Sequence, residues 1–158
     1  MIDFFENMYA FWAFVIAIVT AQIIKPFFLL LFRKKLDIKH MVESGGFPSS
    51  HTAGAFALSF AIGYREGFTG NLFAISLALA IIISYDAANV RYYAGRNIEL
   101  TQQLIKDFQE LTQTNLSDPI YALKIKRVLG HKWIEVFGGI IHGIFISSLL
   151  YYLSNIRI

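Results

Sequence analysis

The chain has 158 residues, of which 56% are apolar and only 16% charged. A soluble domain carries about a quarter charged residues, so the deficit points to lipid as the solvent and to one membrane-embedded domain over 1–158. There are no cysteines, which excludes disulfides, thiol nucleophiles and Cys-based metal sites, and a net charge of +3 is too small to argue for a nucleic-acid partner.

The N-terminal Met1-Ile2-Asp3-Phe4-Phe5-Glu6 is acidic where a cleavable signal peptide would be basic. The apolar run that follows is expected to be a retained helix from about Met8 to Phe32. Spanning a bilayer takes ~20 apolar residues, and this run exceeds that. Gln22 and Lys25 interrupt it on one face, and Pro26 is expected to kink it. Two readings of Lys25 stand side by side. Its ammonium either snorkels to the interface or turns inward to an anion. Arg33, Lys34, Lys35, Lys39 and His40 then form a basic connection, read mainly as a solvated interfacial loop.

The connection leads into Ser44-Gly45-Gly46-Phe47-Pro48-Ser49-Ser50-His51-Thr52. Two glycines allow a sharp turn, Pro48 suits a helix entry, and Ser49 and Ser50 are N-cap types. A helix starting at Ser50 presents unpaired N–H groups and the positive end of its dipole, a natural seat for a phosphate. His51 stands beside that seat as a proton donor. The helix is expected to run to about Tyr64. Ala53, Ala57 and Ala61 give it a small-residue face for close packing.

A third helix is expected from about Asn71 to Tyr93. Asp86, Asn89 and Arg91 lie at its last turns, where they either face a wet cavity or form an interfacial ion pair. Leu104, Ile105, Phe108 and Leu111 then make an amphipathic stripe, read as a separate helix from about Asn97 to Leu111. Asn115-Leu116-Ser117-Asp118-Pro119 ends it, and Lys124, Lys126, Arg127 and Lys132 build a second basic cluster. The last helix is expected from about Lys132 to Leu153. The spacing of His131 and Glu135 places both on one helix face. Gly139 and Gly143 suit close packing, and His142, two turns deeper than Glu135, reads as a hydrogen-bonded core histidine.

The expected fold is therefore all-α: an integral membrane bundle of about four transmembrane helices plus one amphipathic helix. Both basic clusters fall on one side, which the positive-inside rule makes cytoplasmic. His51, Arg91, His131 and Glu135 collect on that side. Two histidines, a carboxylate, cations and a helix N-terminus suit phosphoryl transfer. One histidine would attack phosphorus, the carboxylate would orient it, and the second would protonate the leaving oxygen. The His and Glu spacings match no metal-ligand motif, and no metal or other cofactor is expected.

Three stretches carry a resemblance: Ser44 to Ala53 as written above, Tyr85-Asp86-Ala87-Ala88-Asn89-Val90-Arg91, and Leu129-Gly130-His131-Lys132-Trp133-Ile134-Glu135-Val136. Together with Lys25 they resemble the divergent, small-membrane-protein branch of the type 2 phosphatidic acid phosphatase superfamily, which is related to vanadium haloperoxidases. The resemblance implies His131 as nucleophile with Glu135 behind it, and His51 as general acid. It implies Ser49 and Lys25 as phosphate-binding groups, and Ser50, standing where the better-known members have glycine, is expected to join them. No Arg-Pro pair follows Lys25, and Ile125 occupies the place of the arginine of the third block. Arg91 is the group expected to supply the missing guanidinium, with Asp86 and Arg127 as support.

The expected function is a metal-independent phosphatase acting on a phosphorylated membrane lipid. The alternative is a non-catalytic membrane protein that binds an anionic lipid head group with the same cations. A small transporter is a third reading, although four helices are few for one. The Gly and Ala faces fit a homodimer and fit packing within one chain equally well.

Overall fold

A computed structural model of the chain describes residues 8–33, 46–116, 118, 121 and 130–155. Helix α1 is Tyr9–Arg33 and α2 is Ser50–Glu66; α3 is Asn71–Tyr85. A π-helical segment, Asp86–Val90, joins α3 directly to α4, Arg91–Thr112, and α5 is Trp133–Asn155. Among the described residues, three stretches are long and apolar enough to cross a membrane: Tyr9–Phe28, the run Asn71–Thr112, and Trp133–Ser154. The 17-residue α2 is shorter, about 25 Å at 1.5 Å per residue, and packs against α1, α3 and α5. The chain is an all-α, multi-pass membrane bundle with α2 at its centre.

Residue size explains why α2 takes the middle. The buried core is built from Ala13, Ala17, Ala21, Ala53, Ala57, Ala61 and Ala80, while Phe11, Val19, Ile23, Phe27, Leu79, Ile82, Ile141 and Phe145 are exposed. Large apolar side chains outside and small ones inside is the inverse of a soluble core, and it is what lipid as solvent permits. Along α1 the buried positions Ala13, Ala17, Ala21 and Lys25 recur every four residues, forming one stripe. Pro26 lies inside α1 without ending it.

Helix α5 approaches α2 until backbones touch. A Cβ at Gly139 would overlap the Ser49 carbonyl, and one at Gly143 would overlap the Ala53 carbonyl and crowd the Ala57 nitrogen. Backbone atoms cannot swing aside as a side chain can. Gly143→Val is therefore expected to lower the thermal midpoint of the purified protein in detergent by several degrees. Overpacking of this kind costs typically ~1–3 kcal/mol, more than the few tenths gained in helix propensity. An unchanged midpoint would show that the α2–α5 contact is loose. His142 bonds Thr20 (Nε2 to Oγ1, 2.8 Å) and the Ala17 backbone, tying α5 to α1 inside the bundle as a hydrogen-bonded core histidine.

Two expected boundaries are corrected. The third helix does not stop at Tyr93 with a new one at Asn97; the run from Asn71 to Thr112 is continuous. The residues between are polar but carry only one helix-weakening residue, Gly95, whose cost of about 1 kcal/mol is too small to end a helix. The stripe Leu100, Leu104, Phe108 and Leu111 lies exposed on α4. The last helix begins at Trp133, not Lys132, which changes how His131 and Glu135 meet.

Helices α1, α2, α3 and α5 alternate in direction, and α4 continues α3. At one end, Tyr64 stacks on Tyr151 and bonds Ser148, Tyr9 bonds the Ser147 carbonyl, and Arg65 lies over the Tyr9 ring. The other end gathers Lys25, the start of α2, the π segment and the start of α5.

Candidate active site

The site grows from the start of α5. Lys132 takes the cap position, with its carbonyl accepting from the Glu135 and Val136 N–H groups. Glu135 is the third helical residue, and its Oε2 reaches back to the Lys132 N–H at 3.2 Å, the glutamate half of a capping box. The same oxygen meets His131 Nδ1 at 2.9 Å. His131 thus precedes the helix and does not share a helical face with Glu135. The helix start folds the carboxylate back onto the histidine. The Gly46 N–H also donates to this carboxylate, and the Ser49 N–H donates to the Glu135 carbonyl at 2.9 Å. Gly46 has φ +95°, a conformation that glycine adopts without Cβ strain. One glutamate therefore fastens the Gly46–Ser49 turn to His131.

This arrangement selects the histidine tautomer. An ionised carboxylate only accepts, so Nδ1 carries a proton, and in the neutral ring Nε2 keeps its lone pair. His131 is 2% exposed, and among the described residues nothing hydrogen-bonds its Nε2. A buried lone pair on an oriented imidazole is a nucleophile or a ligand-binding atom left open.

The groups around it are mostly positive. His51, in the first turn of α2, is exposed and interacts electrostatically with Arg91, His131, Lys25 and Asp86. Lys25 is 3% exposed, and its aliphatic chain passes close to Gly46. That position places the side chain inside the bundle. Arg91 Nε donates to Asp86 Oδ2 at 2.6 Å, with both side chains partly exposed. The ion pair foreseen at the end of α3 is present, and it faces His51.

Both serines are buried, and Ser49 serves the turn. Ser49 caps α2: its Oγ accepts from the Thr52 N–H at 3.4 Å and lies 3.0 Å from Thr52 Oγ1. Ser50 is 2% exposed. Apart from the Thr52 N–H that Ser49 caps, the first-turn N–H groups of α2 have no intrahelical acceptors, the anion-binding feature of any helix start. Arg127 lies outside the described residues, as do Ser44, Gly45 and the loop lysines Lys34, Lys35, Lys39, Lys124 and Lys126. Among the described residues, no group of three or more His, Asp or Glu side chains is placed to hold a metal ion.

Sequence reading missed three supports: the Gly46 N–H on the carboxylate, the Ala87 carbonyl that accepts from the His131 N–H at 2.9 Å, and Gly130. A Cβ on Gly130 would overlap the backbone of Arg91 and Tyr92. A glycine immediately before the histidine was the available signal; the two backbone partners left none.

A family model described as "Divergent PAP2 family" matches residues 5–146. The chain is 36% identical over 141 residues to the "uncharacterized membrane protein YuiD" of Bacillus subtilis (strain 168), an alignment covering 86% of this chain and 89% of that protein. No solved structure matches. Nearly the whole bundle lies inside the family match, including the α2 start, the π segment and the His131–Glu135 pair, and the chain belongs to the Divergent PAP2 family.

Proposed function

We propose that the protein hydrolyses the phosphate monoester of a membrane lipid through a phosphohistidine at His131. The observation that carries this reading is the His131–Glu135 pair, with Nδ1 bonded to the carboxylate and a buried, unpartnered Nε2. In the first step the Nε2 lone pair attacks phosphorus. The P–N bond forms, the P–O bond to the lipid breaks, and protonated His51 delivers its proton to the departing alkoxide. In the second step neutral His51 takes a proton from water, the hydroxide attacks phosphorus and the P–N bond breaks. Inorganic phosphate leaves, and both histidines return to their starting states. Lys25, Arg91 and the first-turn N–H groups at Ser50 and His51 stabilise charge on the equatorial oxygens.

The substrate is a lipid phosphate such as phosphatidate, phosphatidylglycerophosphate or a polyprenyl phosphate. The basic clusters that the sequence carries between α1 and α2 and between α4 and α5 support a cytoplasmic site. A protein that only bound head groups would need the cations but would gain nothing from a carboxylate that fixes one histidine tautomer.

The test is release of inorganic phosphate from phosphatidate in mixed micelles by the purified protein, with chelator present. Release in chelator is expected; binding without release would overturn the enzyme reading in favour of head-group binding. Glu135→Gln is informative in the same assay. Its amide can donate to Nδ1, which moves the ring proton to Nε2 and removes the lone pair. Turnover is expected to fall ~10–100-fold, the range for altering a partner that orients a histidine, with KM nearly unchanged. Equal kcat would show that the carboxylate does not set the tautomer.

A further inference from the structure

An α-helix pairs each N–H with the carbonyl four residues back. At the end of α3 this pattern slips. The Arg91 N–H bonds the Asp86 carbonyl, five residues back. The Ala87 carbonyl, which Arg91 would otherwise have taken, accepts from the His131 N–H at 2.9 Å. One extra residue in the helix thus releases one backbone acceptor, and the residue that uses it is the histidine with the open Nε2. The side chains of the π segment add to the same contact. Ala87 and Ala88 are buried with Val136 of α5, and Gly130 lies directly on the Arg91–Tyr92 backbone.

The slip also changes where Arg91 points. In an α-helix, residues five apart are separated by about 140° around the axis and do not meet. Across the π segment they do: Arg91 Nε sits 2.6 Å from Asp86 Oδ2, facing His51. π-bulges inside α-helices frequently mark functional sites.

We infer that the π segment Asp86–Val90 positions the site, with the Ala87 carbonyl holding the His131 backbone and Asp86 holding the Arg91 guanidinium. This rests on the phosphatase reading for its catalytic consequence but not for its geometry. Asp86 and Ala87 are positioning residues; neither transfers a proton to substrate.

Removing one residue tests it. Val90 is 59% exposed, so its deletion costs little packing. The deletion turns the Arg91-to-Asp86 bond into an ordinary four-residue one and returns the Ala87 carbonyl to the helix through the Tyr92 N–H. Because α4 packs mainly against the π segment, it can rotate without unpacking the bundle. The expected result is a thermal midpoint in detergent close to that of the parent, with loss of hydrogen-exchange protection at the His131 amide. Phosphate release should fall on the order of 10²-fold in kcat, the cost of misplacing a catalytic group by about 1 Å. Val90→Ala, which keeps the residue count, should retain both protection and activity. If the deletion does not fold, Gly130→Ala gives the second route, since its Cβ pushes the loop off the Tyr92 backbone and should also expose the His131 amide. A His131 amide still protected in the deletion, or in Gly130→Ala, overturns the inference. So does full activity in the deletion alongside an inactive His131→Ala. If the parent releases no phosphate, the phosphatase reading fails alone, and the exchange measurement still decides the positioning.

Discussion

His131→Ala is expected to reduce phosphate release by on the order of 10⁴-fold or more, the scale of loss when a covalent nucleophile is removed. The expectation follows from bond order. If Nε2 forms the P–N bond, no neighbouring group can take over, because the other imidazole, His51, lies in the α2 turn and no carboxylate in the described site holds it as Glu135 holds His131. Substrate binding should change far less, since the cations remain. The substitution leaves Glu135 with the Lys132 and Gly46 N–H donors, so the carboxylate is not stranded and the helix start is kept. Loss of one buried hydrogen bond costs about 1–3 kcal/mol, which the bundle can absorb. His131→Asn gives a second route, because its amide donates to Glu135 but offers no nucleophilic nitrogen. Brief reaction with radiolabelled lipid phosphate, followed by quenching in base, should leave label on the parent and none on either variant. Label on His131→Asn, or turnover within tenfold of the parent in both, would remove His131 from the nucleophile's role.

The bundle was legible because lipid imposes a strong pattern. Long apolar runs mark α1, α3 and α5, and Ala53, Ala57 and Ala61 mark the central helix by their small size. The meeting of His131 with Glu135 was legible from spacing, but through the wrong geometry. A four-residue separation suggests a shared helix face, whereas the helix starts between them and the carboxylate turns back as a cap would. The join of α3 to α4 was not legible. Asp86-Ala87-Ala88-Asn89-Val90 contains nothing that distinguishes a π segment from an α-helix, since the difference lies in which carbonyl each N–H chooses. The roles of Ser49 were equally hidden. A serine before a helix suits both a phosphate and a cap, and only coordinates show its Oγ turned to Thr52. Sequence marks residue types well; it does not mark backbone partners, and half of what holds His131 is backbone.

The second large effect is expected at His51, and it should depend on the leaving group. As general acid, His51 protonates an alkoxide whose conjugate alcohol is very weakly acidic. His51→Ala should therefore lower turnover of phosphatidate by ~10²–10⁴-fold, the usual share of general acid catalysis. An aryl phosphate with a nitrophenolate leaving group needs no such help, because the departing oxygen is stable as an anion. On that substrate the first step should be nearly unimpaired in His51→Ala, whereas His131→Ala should remain inactive on both. The contrast separates chemistry from packing. His51 is exposed at the first turn of α2, so its truncation removes little contact, and a general loss of structure would depress both substrates equally. It also separates His51 from the cations it faces, Arg91 and Lys25, whose removal weakens phosphate stabilisation whatever the leaving group. Equal losses in first-turnover release of the leaving group from the two substrates in His51→Ala would assign this histidine to phosphate binding and leave the proton to another donor. Retention of the first-turnover burst of nitrophenolate, with label still appearing on His131, would establish the order of the two histidines in the reaction.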